Sequence, residues 1–113
     1  MTQEKVSQVV DALLERVRKT LVVKNAHYVS ADDKLWNFKR QAAFEDKRGS
    51  EVCLSHMMKQ MTTILKASRN PMPLEFGTGT QEGILQKPVD AIAYLCLWVC
   101  LQMDEQGVEV LPE

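Results

Sequence analysis

Residues 91–101 read AIAYLCLWVCL, and these eleven consecutive positions hold no charged or amide side chain. Asp90 and Gln102 bound the run, so it is too short to cross a bilayer, which takes about 20 residues of helix. A helix that is apolar on every side is typical of a buried central helix. The sequence therefore predicts that this segment forms the centre of the fold.

The apolar run is predicted to belong to a fourth helix that extends from about Gln81 to Gln106. Gly107 is suited to end this helix, because glycine readily adopts the left-handed conformation that follows helix C-termini. Pro88 lies inside the span, and a proline either kinks a helix or stands in its first turn. Two starting points therefore stay open, one close to Pro88 and one near Gln81 with Thr80 as the N-cap.

Three further helices are predicted upstream. Apolar residues recur at steps of three and four over about residues 3–24, which indicates an amphipathic first helix. Ser30 is a candidate N-cap for a second helix that reaches about residue 46 and stops at Gly49. A third helix is predicted over residues 50–69, with Ser50 as its N-cap and the Asn-Pro-Met-Pro segment at 70–73 as its end.

Length and composition fit one all-α domain formed by residues 1–113. A chain of 113 residues and 12.9 kDa has room for one hydrophobic core but not for two. Its five glycines and four prolines are too few for a many-stranded sandwich. We therefore expect a four-helix, bundle-like domain. In so small a chain the fourth helix is most easily buried if another subunit covers one face, so we also predict a homodimer or higher homo-oligomer.

Charge divides the chain into two halves, although its net charge is only −1. Residues 1–70 carry thirteen basic and eight acidic side chains, whereas residues 71–113 carry one basic and seven acidic ones. Two interpretations stay open: basic helices pack on acidic ones, within the chain or between copies, or a basic concavity receives an anion. The net charge argues against a bulk basic protein that wraps DNA, so DNA is not an expected partner. A membrane is not expected either, because the apolar run is too short to span one.

The cysteines indicate a cellular compartment. Cys53, Cys96 and Cys100 are odd in number and lack the paired spacing of a disulfide framework. The N-terminal residues also lack the pattern of a signal peptide. A reducing, cytoplasmic location is therefore expected. Cys96 and Cys100 are predicted to be small, buried apolar side chains of the fourth helix.

Several polar residues lie where the predicted fold does not require them. Asp90 directly precedes the apolar run, and a buried carboxylate needs a cation, a metal ion or several hydrogen-bond donors. His56 and Lys59 share one face of the third helix, and together with Lys24 they are candidate partners of Asp90. Each also has an ordinary structural interpretation: an N-cap or ion pair for Asp90, a surface histidine, or a solvated lysine.

Asn37 is a further candidate, because it stands between Trp36 and Phe38. Asparagine has a low helix propensity, and its side-chain amide must find hydrogen-bond partners. Lys39 and Arg40 follow directly and place two cations beside these aromatic rings.

Taken together, these residues resemble a known family, the nucleotide modification-associated domains. These are small all-α proteins of phages and prophages that are similar in outline to the MazG-like nucleotide pyrophosphohydrolases. The resemblance extends over about residues 16–103 and rests on four spaced motifs, which are Lys24-x3-Tyr28, aromatic-Asn37-Phe38, His56-x2-Lys59 and Asp90-x3-Tyr94. It implies a phage-type protein that binds a nucleotide and takes part in nucleotide metabolism or modification.

The resemblance also implies roles for individual residues. The implied ligand-binding set comprises Lys24, Tyr28, Trp36, Asn37, Lys39, His56, Lys59 and Tyr94. Within it, the basic residues would bind the phosphates, and Tyr28 or Trp36 would stack the base. Asp90 and Glu51 would be the catalytic carboxylates.

A magnesium ion is the implied cofactor. The related pyrophosphohydrolases hold Mg²⁺ in an acidic cluster, because this ion prefers hard oxygen ligands, neutralises phosphate charge and activates water. This chain has no Glu-x-x-Glu motif, so its candidate ligands are Asp90, Glu51 and Glu82. DNA binding through a helix-turn-helix at residues 30–69 is a minor third interpretation, because the third helix carries few side chains suited to read bases. Two main functions stay open. One is nucleotide binding, with or without Mg²⁺-dependent pyrophosphohydrolase activity, and the other is a non-enzymatic homo-oligomeric interaction module.

Overall fold

The computed structural model describes residues 1–27, 35–78 and 80–113, and of residues 23–27 it describes the backbone alone. Within these ranges it contains four helices and one two-stranded hairpin. The helices are α1 (Gln3–His27), α2 (Trp36–Glu45), α3 (Gly49–Arg69) and α4 (Gln86–Gln106). The predicted all-α, bundle-like fold is confirmed. Ser30, the predicted N-cap of α2, lies outside the described residues.

The C-terminal helix α4 is central, as predicted. It packs against α3 and against α1, whereas α2 packs against α3. A core cluster of Val17, Val89 and Ala93 joins α1 to α4. However, α4 is not buried on every side of the single chain, because Leu95 and Val99 are exposed.

The first turn of α4 contains Pro88, so the proline marks the true start of this helix. The predicted N-cap at Thr80 is wrong, because the residues around it form an antiparallel hairpin of β1 (Gly77–Thr78) and β2 (Gln81–Glu82). Gly77 has a φ of +94°, which explains a glycine at this position. Gly107 ends α4 in the left-handed conformation, as predicted.

A carboxylate from α4 satisfies the N-terminus of α3. The helix begins at Gly49, so Ser50 is its second residue and not its N-cap as predicted. Ser50 is buried, and its backbone amide and Oγ donate hydrogen bonds of 3.1 and 2.8 Å to the carboxylate of Glu105. The first amides of a helix have no partner within the helix, and its dipole favours negative charge there. Glu105 therefore fixes the start of α3 against the end of α4.

Other contacts show that α3 and α4 run antiparallel. A Cβ atom on Gly49 would lie 3.0 Å from a methyl carbon of Leu101, so glycine permits a close approach here. Farther along α3, the Cys53 thiol donates to the backbone carbonyl of Tyr94 at 3.2 Å. The partner number in α4 thus falls as the residue number in α3 rises.

The structure agrees with only part of what the sequence predicted for the pairing of charged helices and for the burial of the cysteines. Lys39 on α2 forms an ion pair of 2.9 Å with Asp104 on α4, so a basic helix does meet an acidic one within the chain. Cys53 is buried, and burial together with the nearby Cys100 raises the pKa of its thiol to about 11. Cys96 and Cys100 are exposed, so their predicted burial is wrong. Within the described residues, no helix is long and apolar enough to cross a membrane.

We predict that replacing Glu105 by alanine lowers the free energy of unfolding by about 1–2 kcal/mol, because Ser50 then loses both acceptors. Urea unfolding followed by circular dichroism measures this loss as a lower midpoint at an unchanged m-value. Glu109→Ala is the matched control, since Glu109 is exposed and follows the end of α4. Equal midpoints for the two variants would contradict the capping role.

Candidate functional site

Three rings from three helices meet on one side of the α3–α4 pair. Phe38 of α2, His56 of α3 and Tyr94 of α4 form this aromatic cluster. The His56 and Tyr94 rings are stacked, with centroids 6.0 Å apart and an interplanar angle of 15°. Phe38 meets both rings edge-on, at 6.0 Å from His56 and 6.4 Å from Tyr94. The structure therefore brings together His56 and Tyr94, two residues of the predicted ligand-binding set.

The environment of His56 favours its neutral form. Its Nε2 lies 3.1 Å from Oε1 of Gln41, and the side chain is half-buried. Burial lowers the pKa of His56, the positive charge of Lys59 lowers it further, and Glu45 acts in the opposite direction. A neutral imidazole can stack on a phenol ring without the cost of burying a charge.

Asp90 points into the protein, as predicted, with 2% of its surface exposed. It lies one helical turn before Tyr94, and its Oδ1 accepts a hydrogen bond of 2.9 Å from Nε2 of Gln86. Gln86 was not among the predicted partners, although its spacing of four residues from Asp90 is the spacing at which helical side chains meet. Lys24 was among them, and its side chain lies outside the described residues, as does Tyr28.

Gln86 also lines a cleft between α1 and the start of α4. This cleft has a volume of about 390 Å³, and its other lining residues are Ala12, Glu15, Arg16, Lys19 and Thr20. The Arg16 guanidinium lies 3.5 Å from the centre of the Phe76 ring, which holds it in a cation–π contact at this position. Arg16 and Lys19 were not among the predicted site residues, because Phe76, which contacts Arg16, and Gln86, which lines the same cleft, are far away along the chain.

The other predicted ligand-binding residues of α2 and α3 are divided between exposed and half-buried positions. Trp36 is 40% exposed, and the Arg40 guanidinium lies 5.2 Å from its ring centre. Asn37 is half-buried in the first turn of α2. Lys59 is exposed one turn beyond His56, whereas Lys39 is held in its ion pair with Asp104.

The structure does not assemble the predicted Mg²⁺ site from Asp90, Glu51 and Glu82. Glu51 accepts a hydrogen bond of 3.0 Å from the Arg48 amide, and Glu82 forms an ion pair of 3.0 Å with Lys87. Glu51 directly follows Ser50, which is hydrogen-bonded to Glu105 of α4. Glu105 lies 15 residues beyond Asp90, or about 22 Å along the helix axis, so Glu51 is far from Asp90. Among the residues that are described, no group of three His, Cys, Asp or Glu side chains is placed to hold a metal ion.

Comparison with known proteins adds no family assignment. No protein-family model matches the chain, and no curated protein or solved structure is significantly similar to it. The resemblance to nucleotide modification-associated domains therefore stays a prediction.

We predict that His56 titrates with a midpoint below 6.5, in a ¹H–¹³C NMR titration of the imidazole. Because folding lowers this pKa, the folded protein binds the proton more weakly than the unfolded chain does. The stability that His56 contributes is therefore complete above pH 6.5 and is lost as the pH falls towards the folded pKa.

Two variants separate the causes of this shift. Lys59→Gln should raise the midpoint, because it removes a positive charge, and Glu45→Gln should lower it. A His27→Gln background leaves one histidine signal to follow. A midpoint at or above 6.5 in the unsubstituted protein would contradict the burial of the ring in the aromatic cluster.

Proposed function

We propose that this protein binds a nucleotide along the face of α4 that carries Gln86, Asp90 and Tyr94. These residues recur every four positions and so form a row about 12 Å long on one side of the helix. One end of the row reaches the cleft with Arg16, and the other reaches the aromatic cluster. This single observation carries the proposal, because a nucleotide needs a stacking surface for its base and cations for its phosphates at the two ends of one site.

The aromatic cluster is suited to the base. Nucleobases stack on aromatic side chains with a gain of about 1–3 kcal/mol per base. The half-buried rings of Phe38, His56 and Tyr94 provide such a surface, and the neutral state of His56 keeps it free of a charge that would repel the edge donors of a base. Trp36, which is 40% exposed on α2, provides a second stacking surface.

The cleft between α1 and α4 is suited to the phosphates. Arg16 presents a planar guanidinium that matches two phosphate oxygens at once, and its contact with Phe76 holds it in place. Lys19 lines the same cleft and pairs with Glu15 at 3.3 Å, with both side chains largely exposed. A phosphate would compete with Glu15 for Lys19, since an exposed ion pair of this kind contributes little stability.

Asp90 acts as a positioning residue in this proposal. Its Oδ1 accepts from Nε2 of Gln86, which turns Oε1 of the same amide away from Asp90. The floor of the cleft therefore presents an amide with one fixed orientation. Because Asp90 is itself buried, it reaches a ligand through Gln86 and does not contact it in this conformation.

The described acidic residues support binding better than hydrolysis. Glu51 and Glu82 are engaged elsewhere, so Mg²⁺ would enter together with the nucleotide as its phosphate complex and not as a resident ion. A role in nucleotide metabolism or modification of the phage type, with or without pyrophosphohydrolase activity, comes from the resemblance of the sequence alone. A non-enzymatic interaction module is the second candidate, and the exposed apolar side chains of α3 and α4 favour it.

We predict that deoxynucleoside triphosphates at millimolar concentration raise the melting temperature by about 5 °C in thermal-shift measurements. Each nucleotide is tested with and without Mg²⁺, and inorganic phosphate at equal concentration serves as the control for simple anion effects. Chromatography of the same mixtures after incubation detects any released pyrophosphate. If no nucleotide shifts the melting temperature, nucleotide binding is excluded and the interaction module remains.

We further predict that Arg16→Ala weakens nucleotide binding by about tenfold, because it removes a charged phosphate contact. Arg18→Ala is the matched control, since Arg18 lies exposed on the same helix and does not line the cleft. Isothermal titration calorimetry measures both affinities at one salt concentration. Equal affinities in the two variants would place the phosphates elsewhere.

A further inference from the structure

An exposed apolar stripe runs along α3. It comprises Leu54, Met58, Met61 and Leu65, whose side chains are 37–57% exposed. Their spacing of four, three and four residues places them on one side of the helix. This pattern is typical of a helix that packs against another helix. Among the described residues, however, no neighbour buries these four side chains as a protein core would.

A second exposed apolar patch lies on α4, at Leu95 and Val99. These two side chains are 46% and 37% exposed. They follow Tyr94, which faces α3, by about 100° and 140° of helix rotation. The stripe on α3 lies about 80–140° from Cys53, which faces α4, in the same sense of rotation. When two helices run antiparallel, side chains that are rotated in the same sense away from the contact between the helices lie on the same side of the pair.

The stripe on α3 and the patch on α4 therefore form one apolar face, on the flank of the α3–α4 pair opposite the candidate site. The residues of the candidate site are rotated in the opposite direction. On α3, His56 lies about 60° from Cys53, and on α4, Asp90 and Gln86 lie about 40° and 80° from Tyr94. The nucleotide site and the apolar face thus lie on the two opposite flanks of one helix pair.

The surface area of the whole chain leaves room for an interface with another subunit. The chain exposes 8513 Å², whereas a compact protein of 12.9 kDa exposes about 6,300 Å². Its radius of gyration is 15.7 Å, against about 13 Å for a compact domain of this length. The excess area of about 2,200 Å² is well above the roughly 800 Å² that each partner buries in a standard interface.

We propose that the apolar face of α3 and α4 is the interface of a homodimer with twofold symmetry. Two copies that stack these faces form a four-helix layer in which both α3–α4 pairs contribute, as in antiparallel bundles. A second copy fits this face because the face is self-complementary. None of the six side chains that form it is charged, so like surfaces meet across a twofold axis without bringing like charges together at its centre. The proposal does not depend on nucleotide binding.

The first test uses the unsubstituted protein. Light scattering coupled to size exclusion should give a mass of about 26 kDa, twice that of one chain. In dilute hydrogen peroxide, Met58 and Met61 should oxidise several-fold more slowly than Met72, as measured by mass spectrometry. Met72 is the internal control, because its 52% exposure in the single chain lies between the 57% of Met58 and the 42% of Met61. A monomeric mass with equal oxidation rates would overturn the proposal.

The second test places a charge in the interface. Leu65→Glu and Leu95→Glu should each convert the dimer to a monomer. Leu74→Glu should leave it a dimer, since Leu74 is 80% exposed in the loop that follows α3 and is not one of the residues of this face. Circular dichroism checks that the helices persist. A dimer that survives both interface substitutions would overturn the proposal. If a variant unfolds, the oxidation pattern of the unsubstituted protein decides.

Discussion

The antiparallel contact of α3 with α4 is the constraint on which the rest of the structure depends. It is fixed at one end, where Glu105 accepts two hydrogen bonds from Ser50 and where Gly49 lets Leu101 approach closely. Since a helix rises about 1.5 Å per residue, this anchor sets the register of every later contact between the two helices.

Three consequences follow from that register. It brings His56 of α3 level with Tyr94 of α4, so that their rings stack. It also keeps Glu51 near the far end of α4, away from Asp90, so that these two carboxylates cannot share an ion. It finally places the apolar stripe on α3 and the patch on α4 on one flank. A single capping contact therefore bears on the candidate site, the metal prediction and the proposed interface.

Local signals in the sequence predicted much of the fold. The Asn-Pro-Met-Pro segment marked the end of α3, Gly107 marked the end of α4, and Pro88 marked its start as one of two alternatives. The inward direction of Asp90 also followed from its place beside the apolar run. These features depend on residues within one or two helical turns, where backbone preferences dominate.

The features that the sequence did not reveal depend on distant partners. Ser50 was expected to cap its own helix, because a serine before a helical pattern usually does so, yet its partner is Glu105, 55 residues away. The cleft with Arg16 arises where α1 passes the start of α4. Cys96 and Cys100 were expected to be buried because the run around them is apolar on every side. A single chain of this size does not supply enough neighbours to cover such a helix on every side.

The two proposals together explain why α4 is apolar on every side, because they give its opposite flanks different roles. One flank carries the row of Gln86, Asp90 and Tyr94, in which Asp90 is buried and Gln86 and Tyr94 are half-buried at the two ends of the proposed site. The other flank carries Leu95 and Val99, and it gains stability only when another apolar surface removes it from water. Because the two flanks lie on opposite sides of the α3–α4 pair, a second copy in the proposed dimer would contribute no side chains to the candidate site. It would act on the proposed ligand site only through α4, the helix that carries the whole row.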